Sequence, residues 1–204
     1  MTAATTTTLT CSNGANFDLL NPKVEDVSFV VICEHLAKAN RYCGATPGLA
    51  YSVAQHSVLC AKASLIATGD SELAAYLLCH DMHEAYLGDD TTPKKRALSA
   101  IMSKFGVLAS TISESFELLT NRIDTVIHDR AGLQWPPPSN LENEIHKWDR
   151  VLLATEWRDL MTFPKPYAFG QEPIPDVVIP HASWQIAASE MLQMCTSLLP
   201  DGGR

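Results

Sequence analysis

His80 and Asp81 stand side by side in the run Leu78-Cys79-His80-Asp81-Met82-His83-Glu84, and an imidazole next to a carboxylate can give two ligands to one divalent cation. An isolated His56 lies upstream in Ala54-Gln55-His56-Ser57, and Asp149 lies downstream in His146-Lys147-Trp148-Asp149-Arg150. Two imidazoles and two carboxylates are enough to hold a hydrolytic metal and leave positions open for water and substrate. Glu84 falls one helical turn past the pair, on the face that carries His80, so it would stand beside whatever else such a metal holds.

Each of these residues also has a plainer reading. A single mid-helix histidine such as His56 is more often a hydrogen-bonded structural residue than a ligand. Asp149 has Lys147 and Arg150 nearby as surface partners. His83 reads as an outer partner or an exposed side chain, and His35, His128, His146 and His181 as structural or solvated. Lys94-Lys95-Arg96 is ordinarily a solvated charge run. Only the joint pattern of four donors changes this balance. A core-facing Asp149 is expensive to bury uncompensated, and a metal removes that penalty.

The elements that must position these groups read as helices. Val27 to Ala39 is apolar at helical spacing, with Ser28 as N-cap. Ser52-Val-Ala-Gln55 is a capping-box pattern that predicts a helix running to Thr68, with Gly69 as its stop. Asp70 or Ser71 caps a following helix that carries Leu73, Tyr76, Leu77, His80 and Glu84 before Gly88. Two antiparallel helices joined at Gly69-Asp70 can bring positions 56 and 80 together. Asp89 to Arg96 reads as a polar loop into a short helix, and Thr111 to Asp129 as a long amphipathic helix. After the rigid break Trp135-Pro136-Pro137-Pro138, Ser139-Asn-Leu-Glu142 predicts a second capping box on a helix reaching Met161. Phe163 to Pro180 is expected to be an ordered loop, and Ser183 to Leu199 a last helix. The fold class expected is therefore all-α, with residues 1–16 a flexible lead-in and 17–200 one domain.

Composition narrows the function classes. The 204 residues are 46% apolar and 19% charged, ordinary for a globular chain of one domain. A net charge of −8 argues against a broad nucleic-acid surface. No segment approaches the ~20 apolar residues of a membrane span, and Met1-Thr2-Ala3-Ala4-Thr5-Thr6-Thr7-Thr8 lacks the basic stretch and apolar core of a secretion signal. The six cysteines show no C-x-x-C spacing, so they are expected to be reduced, buried thiols of a cytoplasmic protein. The same absence removes a zinc-deaminase reading. Neither G-x-x-x-x-G-K-[ST] nor G-x-G-x-x-G occurs, so a glycine-rich phosphate loop is unsupported.

His56, His80-Asp81 and Asp149 resemble the H…HD…D motif of the HD-domain metal-dependent phosphohydrolases. The likeness extends to Arg41-Tyr42, Tyr51 to Ser57, Leu77 to Asp81, Glu84 to Asp89, Thr92 to Lys95 and Asp149 to Met161, and covers roughly residues 17 to 195. It is similar to compact bacterial 5′-deoxynucleotidases and phage dATP triphosphohydrolases. The resemblance implies an HD-domain helical bundle in which His56, His80, Asp81 and Asp149 hold a divalent ion. It implies Glu84 and Asp89 as catalytic groups and Arg41 and Tyr42 as substrate contacts, with Pro93 and Lys95 also on the substrate side. Tyr42 stands where relatives often carry Trp, and Thr91-Thr92-Pro93 where the deoxynucleotidases carry Pro-Thr-Pro. Those departures bear on base and phosphate-number preference.

The expected activity is removal of phosphate or polyphosphate from deoxynucleotides, deoxyadenosine nucleotides first. Glu84 and Asp89 would orient or deprotonate the attacking water, while Arg41 and Lys95 neutralise phosphate charge. Donor types do not choose among Mn, Co, Zn, Ni and Fe, and Mg would accompany the substrate phosphates. Other readings are a hydrolase for a cyclic or modified nucleotide, a non-catalytic nucleotide or metal sensor, and a di-iron oxygenase built on the same helices. The expected partner is a small-molecule nucleotide, with no nucleic-acid polymer and no membrane, and with a lean toward a homo-oligomer through the apolar C-terminal helix.

Overall fold

The computed structural model describes residues 6–161, 163–164 and 170–200. It is an all-α bundle with one short hairpin. Strands β1 (Thr8–Thr10) and β2 (Asn16–Asp18) pair antiparallel, Leu9 opposite Phe17. The helices are α1 (Phe29–Lys38), α2 (Val53–Thr68), α3 (Ser71–Cys79), α4 (Glu84–Leu87), α5 (Thr92–Ser103), α6 (Ala109–Ala131), α7 (Ser139–Leu160) and α8 (Trp184–Leu198). Among the described residues, no helix is long and apolar enough to cross a membrane.

The hairpin corrects the expectation of a flexible lead-in over 1–16; residues 1–5 lie outside the described residues. Phe17 is fully buried and stacks on Tyr86 with ring centroids 3.7 Å apart, and Cys11 is buried beside it in the main core. Two apolar anchors thus hold a segment whose threonines suggested no structure, and His35 ties it down further. Its Nε2 accepts from Ser12 N (3.2 Å) while Nδ1 donates to Ala85 O (2.9 Å).

Helix α2 is the centre of the bundle, packed against α3, α8, α1 and α7. Its first turn is fixed by the expected capping box: Gln55 N donates to Ser52 Oγ (3.3 Å) and Ser52 N to Gln55 Oε1 (3.2 Å). Gly69, left-handed at φ 69°, closes it by donating to Leu65 O, a backbone conformation glycine adopts without penalty. Asp70 then caps α3 by accepting from Leu73 N at 2.9 Å. This tight turn folds α3 antiparallel onto α2. Small residues (Ala54, Ser57, Ala61, Ser64 on α2; Ala74, Ala75 on α3) are buried on both helices, which permits close packing. Helix α8 seals the other side with Ala187, Met191 and Cys195.

Three expectations are corrected. The helix predicted to run from Ser71 to Gly88 is broken at residues 80–83. Met82 N donates to Cys79 O, Glu84 N to Asp81 O and Ala85 N to Met82 O, an i→i−3 pattern that tightens the turn and re-aims Asp81 and Glu84. At α7 the Ser139 capping box is not formed. Pro138 is the N-cap, its carbonyl accepting from Leu141 N (2.8 Å) and Glu142 N (3.2 Å). Cys43 is exposed, although the other five cysteines are buried and all six are free. Part of the loop expected from Phe163 to Pro180 lies outside the described residues. Its described part is held to α7 by Ile174 N on Thr155 Oγ1 and Ile179 N on Asp159 Oδ2, both 3.0 Å.

Candidate metal centre

The Gly69-Asp70 turn brings the first turns of α2 level with the end of α3, so His56 and His80 face each other with Nε2 atoms 3.3 Å apart. Asp81 follows in the tightened turn, its Oδ2 at 3.2 Å from His80 Nε2 and 3.7 Å from His56 Nε2. Asp149 arrives from the middle of α7, its Oδ1 at 3.2 Å from His56 Nε2 and 4.0 Å from His80 Nε2. Its flanking Lys147 pairs with Glu144 instead. Donor atoms ~2.1 Å from one ion stand about 3.0–3.5 Å apart; three of these separations fall in that range, and those of Asp81 from His56 and of Asp149 from His80 are longer. His56, His80 and Asp81 form a cluster that could hold a metal ion.

Hydrogen bonding on the far side of each ring sharpens this fit. His80 Nδ1 meets Leu77 O at 2.7 Å, and a carbonyl only accepts, so Nδ1 carries the hydrogen. His56 Nδ1 meets Glu156 Oε1 at 2.5 Å. Glu156 is fully buried, and although burial raises its pKa, Arg41 and His56 hold it below the usual value, as an acceptor. Both rings therefore turn an Nε2 lone pair toward the same point, where Asp81 and Asp149 also aim oxygens. Such convergence demands positive charge, and an outer carboxylate or carbonyl on each imidazole is the usual support of a histidine ligand.

With no cation, protons fill that role. Burial and Arg41 oppose the charged form of His56, but Cys60, Glu156 and Asp149 outweigh them and hold its pKa well above the ordinary 6.5. Burial also opposes charge on His80, yet Asp81 raises it. Asp81 itself is held well below 3.8, because His80, His56 and Arg41 overcome its burial.

Arg41 and Tyr42 reach the cluster from the 3-10 turn Arg41–Gly44. Arg41 Nε lies 3.2 Å from Glu156 Oε2 and its Nη1 3.6 Å from Asp81 Oδ2, while Tyr42 OH donates to Glu156 Oε2 at 2.5 Å. Tyr42 and Cys43 are left-handed, at φ 56° and 53°, a conformation that costs a non-glycine residue about 1–2 kcal/mol. The bonds to Glu156 help to offset it.

Glu84 lies beside Asp81, and its Oε2 is buried without a hydrogen-bond partner. Burial, then Asp81 and Asp89, push its pKa up to about 9. Asp89 is also raised, by burial first, with Arg41 and Lys95 pulling the other way. Lys95 borders a cavity of about 90 Å³ shared with Glu84 and His83. Pro93 is exposed in the first turn of α5 and does not line the cavities at the cluster. His83 Nδ1 pairs with Asp124 Oδ1 at 3.1 Å.

Glu156, which supports His56 from behind, is the residue of this cluster that the sequence did not single out. It was visible only as one of several residues on the α7 face that carries Asp149, two turns further on. That spacing, with an acid kept on an otherwise apolar face, is the signal that would have found it.

Fold and site together define an all-α protein with a buried mixed histidine and carboxylate cluster that could hold a metal ion. The chain is 34% identical over 110 residues to the uncharacterized protein YfdR of Escherichia coli (strain K12), an alignment that covers 54% of this chain and 48% of that protein. The chain thus spans about half the length of this relative. No family model matches the sequence.

Proposed function

We propose that this chain is an HD-type, metal-dependent phosphohydrolase that removes phosphate or polyphosphate from deoxynucleotides in the cytoplasm, deoxyadenosine nucleotides foremost. The observation that carries the reading is the convergence of two Nε2 lone pairs and two carboxylates, with an unpartnered Glu84 oxygen beside them. His56, His80, Asp81 and Asp149 would hold the ion, which supplies Lewis acidity toward a phosphoryl oxygen and toward water.

The rest of the chemistry belongs to the chain. With an ion bound, whose charge would draw the Glu84 pKa down, Glu84 Oε2, buried and free of partners, is placed to accept a proton from water and direct the water's lone pair at phosphorus. Asp89 raises the proton affinity of Glu84 and shares that role. Arg41, fixed by Glu156 and adjacent to Asp81, presents fixed positive charge to the phosphate as negative charge shifts toward the leaving oxygen. Lys95 adds a second cation at the rim.

The test is to incubate protein reconstituted separately with Mn, Co, Zn, Ni or Fe, Mg being present for the substrate, with dNMPs, dNTPs and cyclic nucleotides, and to separate the products. Phosphate release by wild type and its loss in Glu84→Ala is expected. Intact triphosphate as product would assign triphosphohydrolase action. No release from any substrate, with wild type matching Glu84→Ala, refutes the hydrolase and favours a sensor. One observation supports a second reading: Asp81, His83 and Glu84 also come close enough to share an ion. Two equivalents of iron per chain would move the site toward the oxygenase class.

A further inference from the structure

Residues 92–122 make up α5, the turn after it and the first part of α6, and no position among them is buried. Helix α6 enters the core only from Ile123 onward, and α6 is the element on which α5 packs. The two therefore form a hairpin that adds no buried side chain to the bundle. A helix of twelve residues such as α5 is marginal in water without an apolar contact to hold it. The apolar residues are present, but they face outward. Leu98 and Ile101 share one face of α5, Phe105 continues it into the turn, and Leu108 and Leu118 follow at the start of α6 and one helix segment on. All five are exposed, and Ile101, Phe105, Leu108 and Leu118 by more than half. Apolar side chains gathered in this way on one surface element mark a contact surface.

Charge on the hairpin divides by helix. Residues 92–108 carry Lys94, Lys95, Arg96 and Lys104 and no acid, whereas residues 109–121 carry Glu114 and Glu117 and no base. Lys94 is paired with Asp90, but among the described residues Arg96, Lys104, Glu114 and Glu117 form no ion pair. A surface basic on one helix and acidic on the next is complementary to itself: when a two-fold axis turns a second copy over, α5 of each meets α6 of the other. An anionic lipid surface would attract α5 but repel Glu114 and Glu117, and the net charge of −8 opposes it further. In a pairing between copies the apolar side chains supply affinity and the charges fix register. An ordinary interface takes about 20–30 residues a side, which a hairpin of this length can provide. Helix α8 turns Ala187, Met191 and Cys195 into the core, so its apolar face is already partnered.

We infer that two copies of this chain associate through the α5–α6 hairpin, α5 of one against α6 of the other, in a two-fold contact of four helices. The contact also completes the candidate site. Lys95 borders the cavity beside Glu84 and rides on α5, so the wall that carries this cation is braced by the second copy. The task given to Lys95 rests on the phosphohydrolase reading; the pairing of the hairpins does not.

The test is sedimentation equilibrium of the full chain at micromolar concentration. Wild type is expected to be a dimer, and the double variant Ile101→Glu, Phe105→Glu to dissociate at least tenfold more readily; both positions are exposed, so its helix content should match wild type. A charge exchange then locates the contact. One protein carries Arg96→Glu and Lys104→Glu, and another carries Glu114→Lys and Glu117→Lys. Each alone sets like charges face to face and should dimerise at least tenfold more weakly than wild type. An equimolar mixture restores opposite charges at both contacts and should recover the dimer to within about threefold. Hydrogen exchange reads the bracing of Lys95: α5 amides should be protected at least tenfold more in the wild-type dimer than in the Ile101→Glu, Phe105→Glu protein. A monomeric wild type, a dimer indifferent to the apolar substitutions, or a mixture no better than its components overturns the proposal. Wild type that stays monomeric yet binds phosphatidylserine vesicles overturns it in favour of a membrane. None of these readouts involves phosphate release, so failure of the hydrolase reading and failure of the dimer are told apart.

Discussion

Replacing Glu84 with glutamine should stabilise the metal-free protein while abolishing phosphate release. Burial and the neighbouring Asp81 and Asp89 move the Glu84 carboxyl from its ordinary 4.5 to about 9 in the folded chain. A folded state that keeps a proton the unfolded chain has released loses stability as pH rises. The penalty begins near pH 4.5, grows by roughly 1.4 kcal/mol per pH unit and levels off near pH 9. By pH 7 it amounts to about 3 kcal/mol, and Glu84→Gln, with no proton to lose, escapes it. For a chain of this length that is a rise of roughly 6–12 °C in melting temperature. The assay is thermal melting of both proteins in chelator at pH 5, 7 and 9. The variant should match wild type at pH 5 and pull ahead by pH 7, and the gap should shrink when a divalent ion is added, since a nearby cation lowers the Glu84 pKa. A difference between the two proteins that stays constant across pH 5 to 9 would refute the reasoning.

Three further outcomes are expected. Glu156→Gln should weaken metal binding about 10–100-fold by calorimetry, because His56 loses its charged partner while every ligand stays in place; unchanged affinity would show that the outer carboxylate does not tune the ring. Phe17→Ala should cost about 3–5 kcal/mol in chemical denaturation, a loss inconsistent with a dispensable N-terminal segment. Metal uptake should release protons near neutral pH, since His56 and His80 exceed their ordinary pKa values in the metal-free state; titration in buffers of different ionisation enthalpy reads the number, and zero would place the ion elsewhere.

Much of the bundle was legible because its signals are local. Ser52, Gln55, Gly69 and Asp70 act within four residues of themselves, so the α2–α3 hairpin that opposes His56 and His80 could be read directly. The break at 80–83 left no such mark. His80 and His83 keep helical dihedrals, and only the change in hydrogen-bond step moves Asp81 and Glu84 off the expected line. Pro138 took the cap from Ser139 by offering its carbonyl one residue earlier. Glu156 left only a faint mark, an acid two turns past Asp149 on the same face of α7, because its partners lie a hundred or more residues away in sequence.

Glu156 grips three elements at once: the ring of His56 on α2, and the guanidinium and phenol of the left-handed turn at Arg41-Tyr42. One carboxylate thereby couples the cluster to the turn that, in the proposed function, would face the substrate. Anything that straightens the Arg41 turn also slackens the His56 imidazole, and anything that settles the imidazole firms the turn. If an ion and a phosphate substrate both occupy the site as proposed, thermodynamic reciprocity requires the ion to change substrate affinity by the same factor as substrate changes the ion's. Were that factor favourable, a scarce metal would be retained longest when there is substrate to act on.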